Sequence, residues 1–253
     1  MGRNTLCFAM PEDDGQTIVY EPFVVKSGVS MAANLREAFK TSDLLLQAPQ
    51  RARVMMDSDV LHVPVEEFDE KAIETLHHHA FPGHEQDVVF YNVLPDLNAV
   101  ALFSINRDLK LVIDDHFQDV RLVTAVSPVW RHLHQRSFTG SREKLYAYFH
   151  EKRLEVFCFN QNRFRFCNSF DASRTKDAIY FVLYIWNQLQ LDAENDELHM
   201  VGEIPGQEAF VAELKKYVSK AYVVNPVADF NNHPVTQIKG MPYDMQALFI
   251  KGR

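Results

Sequence analysis

The sequence predicts an α/β protein made of two mixed-sheet domains, and three observations carry that expectation. The first is length, since 253 residues suffice for two domains of ordinary size. The second is the order of elements after residue 140. Three consecutive strand-like runs, Leu145 to Phe170, precede an alternation of helix, strand, helix and strand. A meander of three strands followed by αβαβ builds a mixed sheet with helices on its faces. The third is that the first half divides into similar pieces and ends at SFTGSREK, a polar stretch containing Gly140. The expected domains are therefore 1–140 and 141–253.

Bulk numbers narrow the class. A hydrophobic fraction of 47% and a charged fraction of 24% are those of a soluble globular chain whose core needs no staples. The net charge of −8 argues against a broad nucleic-acid surface, which needs clustered Lys and Arg. No apolar run approaches the roughly 20 residues that cross a bilayer. The start, MGRNTLCFAMPEDDG, lacks a secretory-signal pattern, and Leu6 stands where a myristoylated chain prefers Ser or Thr. The expectations are a cytoplasmic location, no membrane insertion and no nucleic acid. Cys7, Cys158 and Cys167 form no CxxC pair and sit in apolar runs, so buried thiols are expected. Cys158 and Cys167 could face one another across a hairpin, but nothing demands a disulfide.

In the first half, TLCFAM and TIVYEPFVV read as strands around the turn PEDDGQ, where Asp14-Gly15 is a strong hairpin signal. SMAANLREAFKTSDLL places Met31, Leu35, Ala38 and Phe39 on one helical face behind a Ser30 N-cap. RARVMMDSDVLHVPVEEF gives two short strands, and DEKAIETLHHHAF a helix that closes at Pro82-Gly83. DVVFYNVLPDLNAVALFSI gives two more strands, joined through Pro95-Asp96-Leu97-Asn98. NRDLKLVIDDHF is a short helix with Leu109, Val112 and Ile113 inward. VRLVTAVSP is a strand, and PVWRHLHQR a helix with Pro128 in its first turn.

In the second half, the joins of the three-stranded run are His150-Glu151-Lys152-Arg153 and Asn160-Gln161-Asn162, with no glycine in either. The helix from about Thr175 to Leu191 is apolar on most of its circumference and is expected to be deeply packed. ELHMVG is a strand, GQEAFVAELKKYV an amphipathic helix and KAYVVNP a final strand. Pro242 begins a short terminal helix that Leu248, Phe249 and Ile250 would pack.

The strands KLYAYFHEKRLEVFCFNQNRFRFCNSF, the helix TKDAIYFVLYIWNQL and the segment ELHMVGEIPGQEAFVAEL carry a resemblance that covers nearly the full length. By these the chain resembles a bacterial family of unknown function with the actin-like ATPase fold, in which each half is ribonuclease-H-like. Its element order is also similar to that of the cytoplasmic actin-like proteins of pilus assembly and type II secretion. In active members of that superfamily, the resemblance implies, ATP lies between the halves. An Asp on the first strand of each half, followed closely by glycine, holds water around Mg²⁺ while the backbone donates to phosphate. A third, glycine-rich turn supports the adenosine.

This sequence departs from that pattern. TLCFAM carries no acid, and Asp13, Asp14 and Gly15 come only in the turn; LYAYFHEKR offers neither Asp nor Gly. A bulky His150-Glu151 turn keeps phosphate from the backbone, and Glu151 repels a triphosphate unless a metal intervenes. At the third position, HMVGEIPGQEAF passes from strand to helix through Gly202 and Gly206, the candidate cofactor-binding residues. The competing and preferred reading is ordinary loop punctuation. The expected function is thus a non-catalytic protein-binding or scaffold protein that needs no cofactor and holds a protein partner in the inter-domain cleft or on an edge strand. The alternative is an ATP-with-Mg binder or slow ATPase.

Other chemistry finds little footing. His77, His78 and His79 point about 100° apart on a helix, so they do not converge on one metal, and a solvated helix end is expected for them. His132 and His134 share that difficulty. Asp57-Ser58-Asp59 and Asp114-Asp115-His116 are the best acidic clusters, but the second-half strands supply only Glu155, with Asp171 beyond, too few for a metal-dependent nuclease. No Gly-x-Ser-x-Gly elbow exists. In RFRFCNSF, strict alternation puts Phe164, Phe166 and Phe170 on one face and Arg163 and Arg165 on the other. A buried phenylalanine face explains that pattern without RNA.

Overall fold

The computed structural model describes residues 1–12, 17–47 and 50–251. The Asp14-Gly15 turn lies outside them. The chain divides into two units: Met1–Ser127 with Gln237–Met245, and Pro128–Thr236 with the residues from Gln246 on. The division falls at the head of a helix, ahead of the polar stretch around Gly140.

Unit 1 begins with the antiparallel pair β1 (Leu6–Pro11) and β2 (Ile18–Phe23), in register from Leu6 opposite Phe23 to Pro11 opposite Ile18. Helix α1 (Met31–Thr41) starts where the Ser30 hydroxyl accepts from the Ala33 amide, and it buries Ala32, Asn34, Leu35 and Ala38. Asn34 is the polar member of that face. Its amide side chain accepts from Lys26 N at 2.8 Å and donates to Val29 O and Ser30 O, both at 3.1 Å, which pins the preceding loop. Helix α2 (Asp43–Leu46) follows, capped by Ser42. Then come β3 (Arg51–Met56), β4 (Val60–Pro64), α3 (Ile73–Ala80), β5 (Val88–Leu94) and β6 (Ala99–Ile105). Helix α4 (Arg107–His116) is capped by Asn106 and buries Leu109, Val112 and Ile113, as its spacing predicts. Strand β7 (Asp119–Thr124) precedes α5 (Ser127–Ser137).

Two further small sheets arise from these strands. In one, β3 pairs with β7 in parallel; in the other, β6 lies between β4 and β5, antiparallel to both. Every residue of β6 is buried. Leu6, Leu35, Val54, Met56, Phe103, Ile105, Leu109, Val112 and Ile113 form the main core.

Unit 2 carries a five-stranded sheet from β8 (Lys144–His150), β9 (Arg153–Asn160), β10 (Arg163–Asp171), β11 (Glu197–Gly202) and β12 (Ala221–Val223), with α6 (Thr175–Gln188) and α7 (Gln207–Leu214) between the later strands. The order across the sheet is β10-β9-β8-β11-β12. The first three strands are an antiparallel meander, while β11 runs parallel to both β8 and β12. This is the expected βββαβαβ arrangement. Two short helices, α8 (Pro226–Asp229) and α9 (Tyr243–Lys251), close the chain. Strands β8 and β9 are buried along nearly their full length, because each face of the sheet is covered. Leu145, Ala147, Phe149, Leu154, Val156 and Cys158 meet α6 and α7 on one face. On the other, Tyr146 stacks on Phe157, and Phe164 packs against Phe159 and Trp130 of α5.

Three expectations need correction. The register of β10 slips between Phe164 and Phe166, where Arg165 is an extra residue. A bulge of this kind reverses the parity of everything beyond it. Phe164 therefore lies on the Trp130 face, whereas Phe166 and Phe170 pack with α6. The same register sets Cys158 opposite Phe166 and Cys167 opposite Phe157, so the two thiols lie on opposite faces and do not meet. Helix α6, finally, is packed on one side only. Ala178, Val182, Ile185 and Trp186 are buried, while Tyr180 and Tyr184 stack on each other in the open.

Strand β10 is the longest strand and the end of its sheet. Its outer edge is blunted by the bulge, by exposed Arg163 and Arg165, and by Asn168, whose side-chain oxygen takes up the Ser169 amide at 2.9 Å. Such devices keep an edge from recruiting another strand.

Candidate functional site

Within unit 1 two sheet edges converge. β5 ends the sheet β4-β6-β5, and β7 ends the sheet β3-β7. One side chain ties them: the Asn92 amide donates to Leu122 O at 3.0 Å, and its oxygen accepts from Thr124 N at 3.0 Å. It does for β7 what a neighbouring strand would do. Away from this clamp the edges part into a groove of about 890 Å³, lined by Phe90, Tyr91, Val93, Phe117, Val120 and Arg121 among others. Phe90, Phe117 and Val120 are half-buried and form its apolar floor, while polar groups supply the larger share of its lining.

Charge is placed at its rim. Lys110 pairs with Asp114 one helical turn on, and its ammonium lies 5.8 Å from the centre of the Phe90 ring. The Tyr91 hydroxyl donates to Glu70 at 3.0 Å, and that bond raises its pKa above the ordinary value of 10.0. The phenol stays neutral. Arg121 is exposed on β7 beside the groove. The arrangement has an apolar floor, an open strand edge and a cation, which suits it to holding an extended chain. It brings together no nucleophile with a base.

The two glycines singled out from sequence occupy one junction in unit 2. Gly202 ends β11 at φ +88°. A Cβ there would stand 2.1 Å from the Phe149 carbonyl oxygen and 2.9 Å from Cε2 of Tyr148. The space is therefore taken by the backbone of β8. The same carbonyl accepts from the Glu203 amide at 2.9 Å. Gly206 is the N-cap of α7 at φ +56°, provides no side-chain cap, and has open space where a Cβ would be.

The β8–β9 join is a two-residue hairpin, His150 lying opposite Arg153, and both central residues have positive φ: Glu151 at 41° and Lys152 at 65°. Two positive φ values are what a type I′ turn requires, normally from Asn-Gly. Here a carboxylate and an ammonium stand where the sequence resemblance implies glycine. With no glycine and a carboxylate at its tip, this turn does not by itself cradle a triphosphate. The corresponding first-half turn, with Asp13, Asp14 and Gly15, lies outside the described residues.

The histidines differ from expectation. His77 is fully buried rather than solvated, neither ring nitrogen has a hydrogen-bond partner, and burial lowers its pKa from the ordinary 6.5. His84 Nδ1 lies 2.7 Å from Asp87 and its Nε2 3.9 Å from Asp59, which also pairs with Arg3. His132 and Asp229 form a buried pair at 2.7 Å, with Arg136 on the other carboxylate oxygen at 2.8 Å. His150, Arg153 and Glu155 are likewise buried together. Cys158, sealed by burial, has its thiol pKa raised to about 11. Among the described residues no group of three or more His, Cys, Asp or Glu side chains is arranged to hold a metal ion.

Sequence reading missed the groove, because its walls come from segments some 30 residues apart. Asn92, an amide inside the apolar run VVFYNVL, was the available signal.

Comparison with known proteins gives the frame. The family described as "Protein of unknown function (DUF3822)" matches residues 1–221. A Bacteroides thetaiotaomicron VPI-5482 protein, described as having an actin-like ATPase fold and unknown function, is similar at 27% identity and a TM-score of 0.84, over 97% of this chain and 91% of that one. A structure titled "PilM-PilN type IV pilus biogenesis complex" is similar at 13% identity and a TM-score of 0.56, over 99% and 95%. The cytoplasmic domain of EpsL, from the type II secretion system of Vibrio cholerae, matches at 11% identity and a TM-score of 0.43, over 81% of each chain. No curated protein matches. The fold is the actin-like ATPase fold, as the sequence resemblance implies. Among the described residues no helix is long and apolar enough to cross a membrane.

Proposed function

Since the chain belongs to the DUF3822 family of proteins of unknown function, we propose from its own geometry that it is a non-catalytic, cytoplasmic protein-binding module whose partner seats in the groove between β5 and β7. The observation that carries this reading is the meeting of two sheet edges, tied at one point by the Asn92 clamp and parting beyond it over an apolar floor. The PilM-PilN structure is a complex of two proteins, which accords with a binding role for this fold; the likeness is one of fold alone. The glycine-free β8–β9 turn and the filled space at Gly202 support the absence of a nucleotide role.

The test places a photo-crosslinking residue at Val93, which is 52% exposed on the groove wall, and a control at exposed Tyr217 in unit 2. A discrete protein adduct at Val93, absent at Tyr217 and lost on Arg121→Glu, is the expected outcome. Equal labelling at both positions sinks the reading. One observation favours the second reading, ATP-with-Mg binding: Gly206 leaves the first amides of α7 without a side-chain cap and with space beside them. A thermal melt with millimolar Mg-ATP decides it, since a ligand at about 100 times its dissociation constant stabilises by roughly 2.7 kcal/mol. A raised midpoint that Gly206→Val abolishes would replace the proposal.

A further inference from the structure

Strand β7 has two edges with different fates. Asp119 N donates to Gln50 O and Ala125 N to Met56 O, so the odd-numbered positions turn towards β3. Asn92 bonds Leu122 O and Thr124 N, so the even-numbered positions turn away from it. In a strand the amide and carbonyl of one residue point the same way, and successive residues alternate. The Val120 amide and carbonyl and the Leu122 amide therefore lie on the edge that Asn92 clamps, just short of the clamp. That stretch of edge borders the groove.

We propose that the partner enters as an extended peptide that adds a strand to β7 along Val120–Leu122, with apolar side chains against Phe90 and Phe117 and a carboxylate on Arg121. The inference rests on the protein-binding reading and specifies its chemistry. Backbone pairing supplies affinity in strand addition, and alternate side-chain pockets supply selectivity. The apolar pocket is the half-buried Phe90–Phe117–Val120 floor. Charge selects an acid. Lys110 is already neutralised by Asp114, whereas the Arg121 guanidinium makes no hydrogen bond or ion pair with any described residue. Asn92 sets the register. Its amide occupies the Leu122 carbonyl and the Thr124 amide, so an added strand must stop there. β10 is longer but blunted, and offers no comparable edge.

A phage-displayed library of random 12-residue peptides, selected on the purified full chain, supplies probes. Synthetic versions are then measured by fluorescence polarisation. The expected peptides alternate apolar residues and carry an acid. N-methylation of every second peptide amide should abolish binding, while methylation of the intervening ones leaves it. Arg121→Glu should weaken binding about tenfold, as should Val120→Pro through the lost amide. Arg121 is exposed, so its variant stays folded even if Val120→Pro does not. Binding that is indifferent to the methylation pattern and to Arg121→Glu overturns the inference. So does failure of the library to yield any binder. In either case a specific crosslink at Val93 keeps the broader reading standing, and its loss removes both.

Discussion

Replacing Gly202 with alanine measures what that glycine is for. The added Cβ would fall 2.1 Å from the Phe149 carbonyl oxygen and 2.9 Å from the Tyr148 ring, where real Cβ atoms do not sit. Its φ of +88° adds strain that glycine alone escapes. A left-handed conformation costs a residue with a Cβ about 1–2 kcal/mol, and overpacking typically adds about 1–3 kcal/mol. The bond from Glu203 N to the Phe149 carbonyl is also at risk. The expected loss is about 2–5 kcal/mol. Gly206→Ala is the internal control: φ is also positive, but no atom lies within 4 Å of its Cβ, so only about 1–2 kcal/mol is at stake. Urea unfolding followed by tryptophan fluorescence reads this directly, since the chain has two tryptophans and both, Trp130 and Trp186, are buried in unit 2. A Gly202→Ala protein as stable as Gly206→Ala would refute the packing argument. It would mean that the space at Gly202 is kept clear for something other than the β8 carbonyl.

Two more outcomes follow from the structure. Glu151→Asn with Lys152→Gly places the usual type I′ pair in a turn whose φ values are already positive, and should raise the stability of unit 2 by about 1–2 kcal/mol on the same assay; no gain would show that the turn's strain is relieved elsewhere. His77 sits buried with its pKa lowered from 6.5, chiefly by burial and then by His78 and His84, against Asp59 and Asp87. The unfolded chain therefore takes up the proton first. Its contribution to stability is full above pH 6.5 and declines as the pH falls from there towards the lower folded value. His77→Phe should flatten that part of the profile, read as hydrogen exchange of α3 amides at pH 7 and pH 5.5; an unchanged pH dependence would contradict it.

Most of the architecture was legible because alternation and helical spacing are local. The run Leu145 to Phe170 showed its three strands, and Leu109, Val112 and Ile113 showed the inward face of α4. What escaped was non-local or one residue wide. Arg165 looks like any polar position in an alternating strand, yet as an extra residue it sends Phe164 to the other face. Tyr180 and Tyr184 count as apolar in a pattern but carry a hydroxyl that water accepts, so α6 seemed more buried than it is. Gly202 reads from sequence as loop punctuation or a point of ligand approach, whereas the β8 carbonyl that leaves no room for a Cβ there is non-local. The groove could not be read at all until β5 and β7 were brought side by side.

The blunted end of β10 has a consequence for traffic in a crowded solution. Backbone is the same on every polypeptide, so an uncovered strand end is an invitation to anything unfolded. Here the longest perimeter declines that invitation, while a stretch of about three residues on β7 extends it from inside a recess. Depth and shortness act as a filter. A stray segment gains too few pairings there to stay, and a sequence that also fills the apolar floor and meets Arg121 stays longer. Discrimination would then reside in dwell time and not in the rate of encounter.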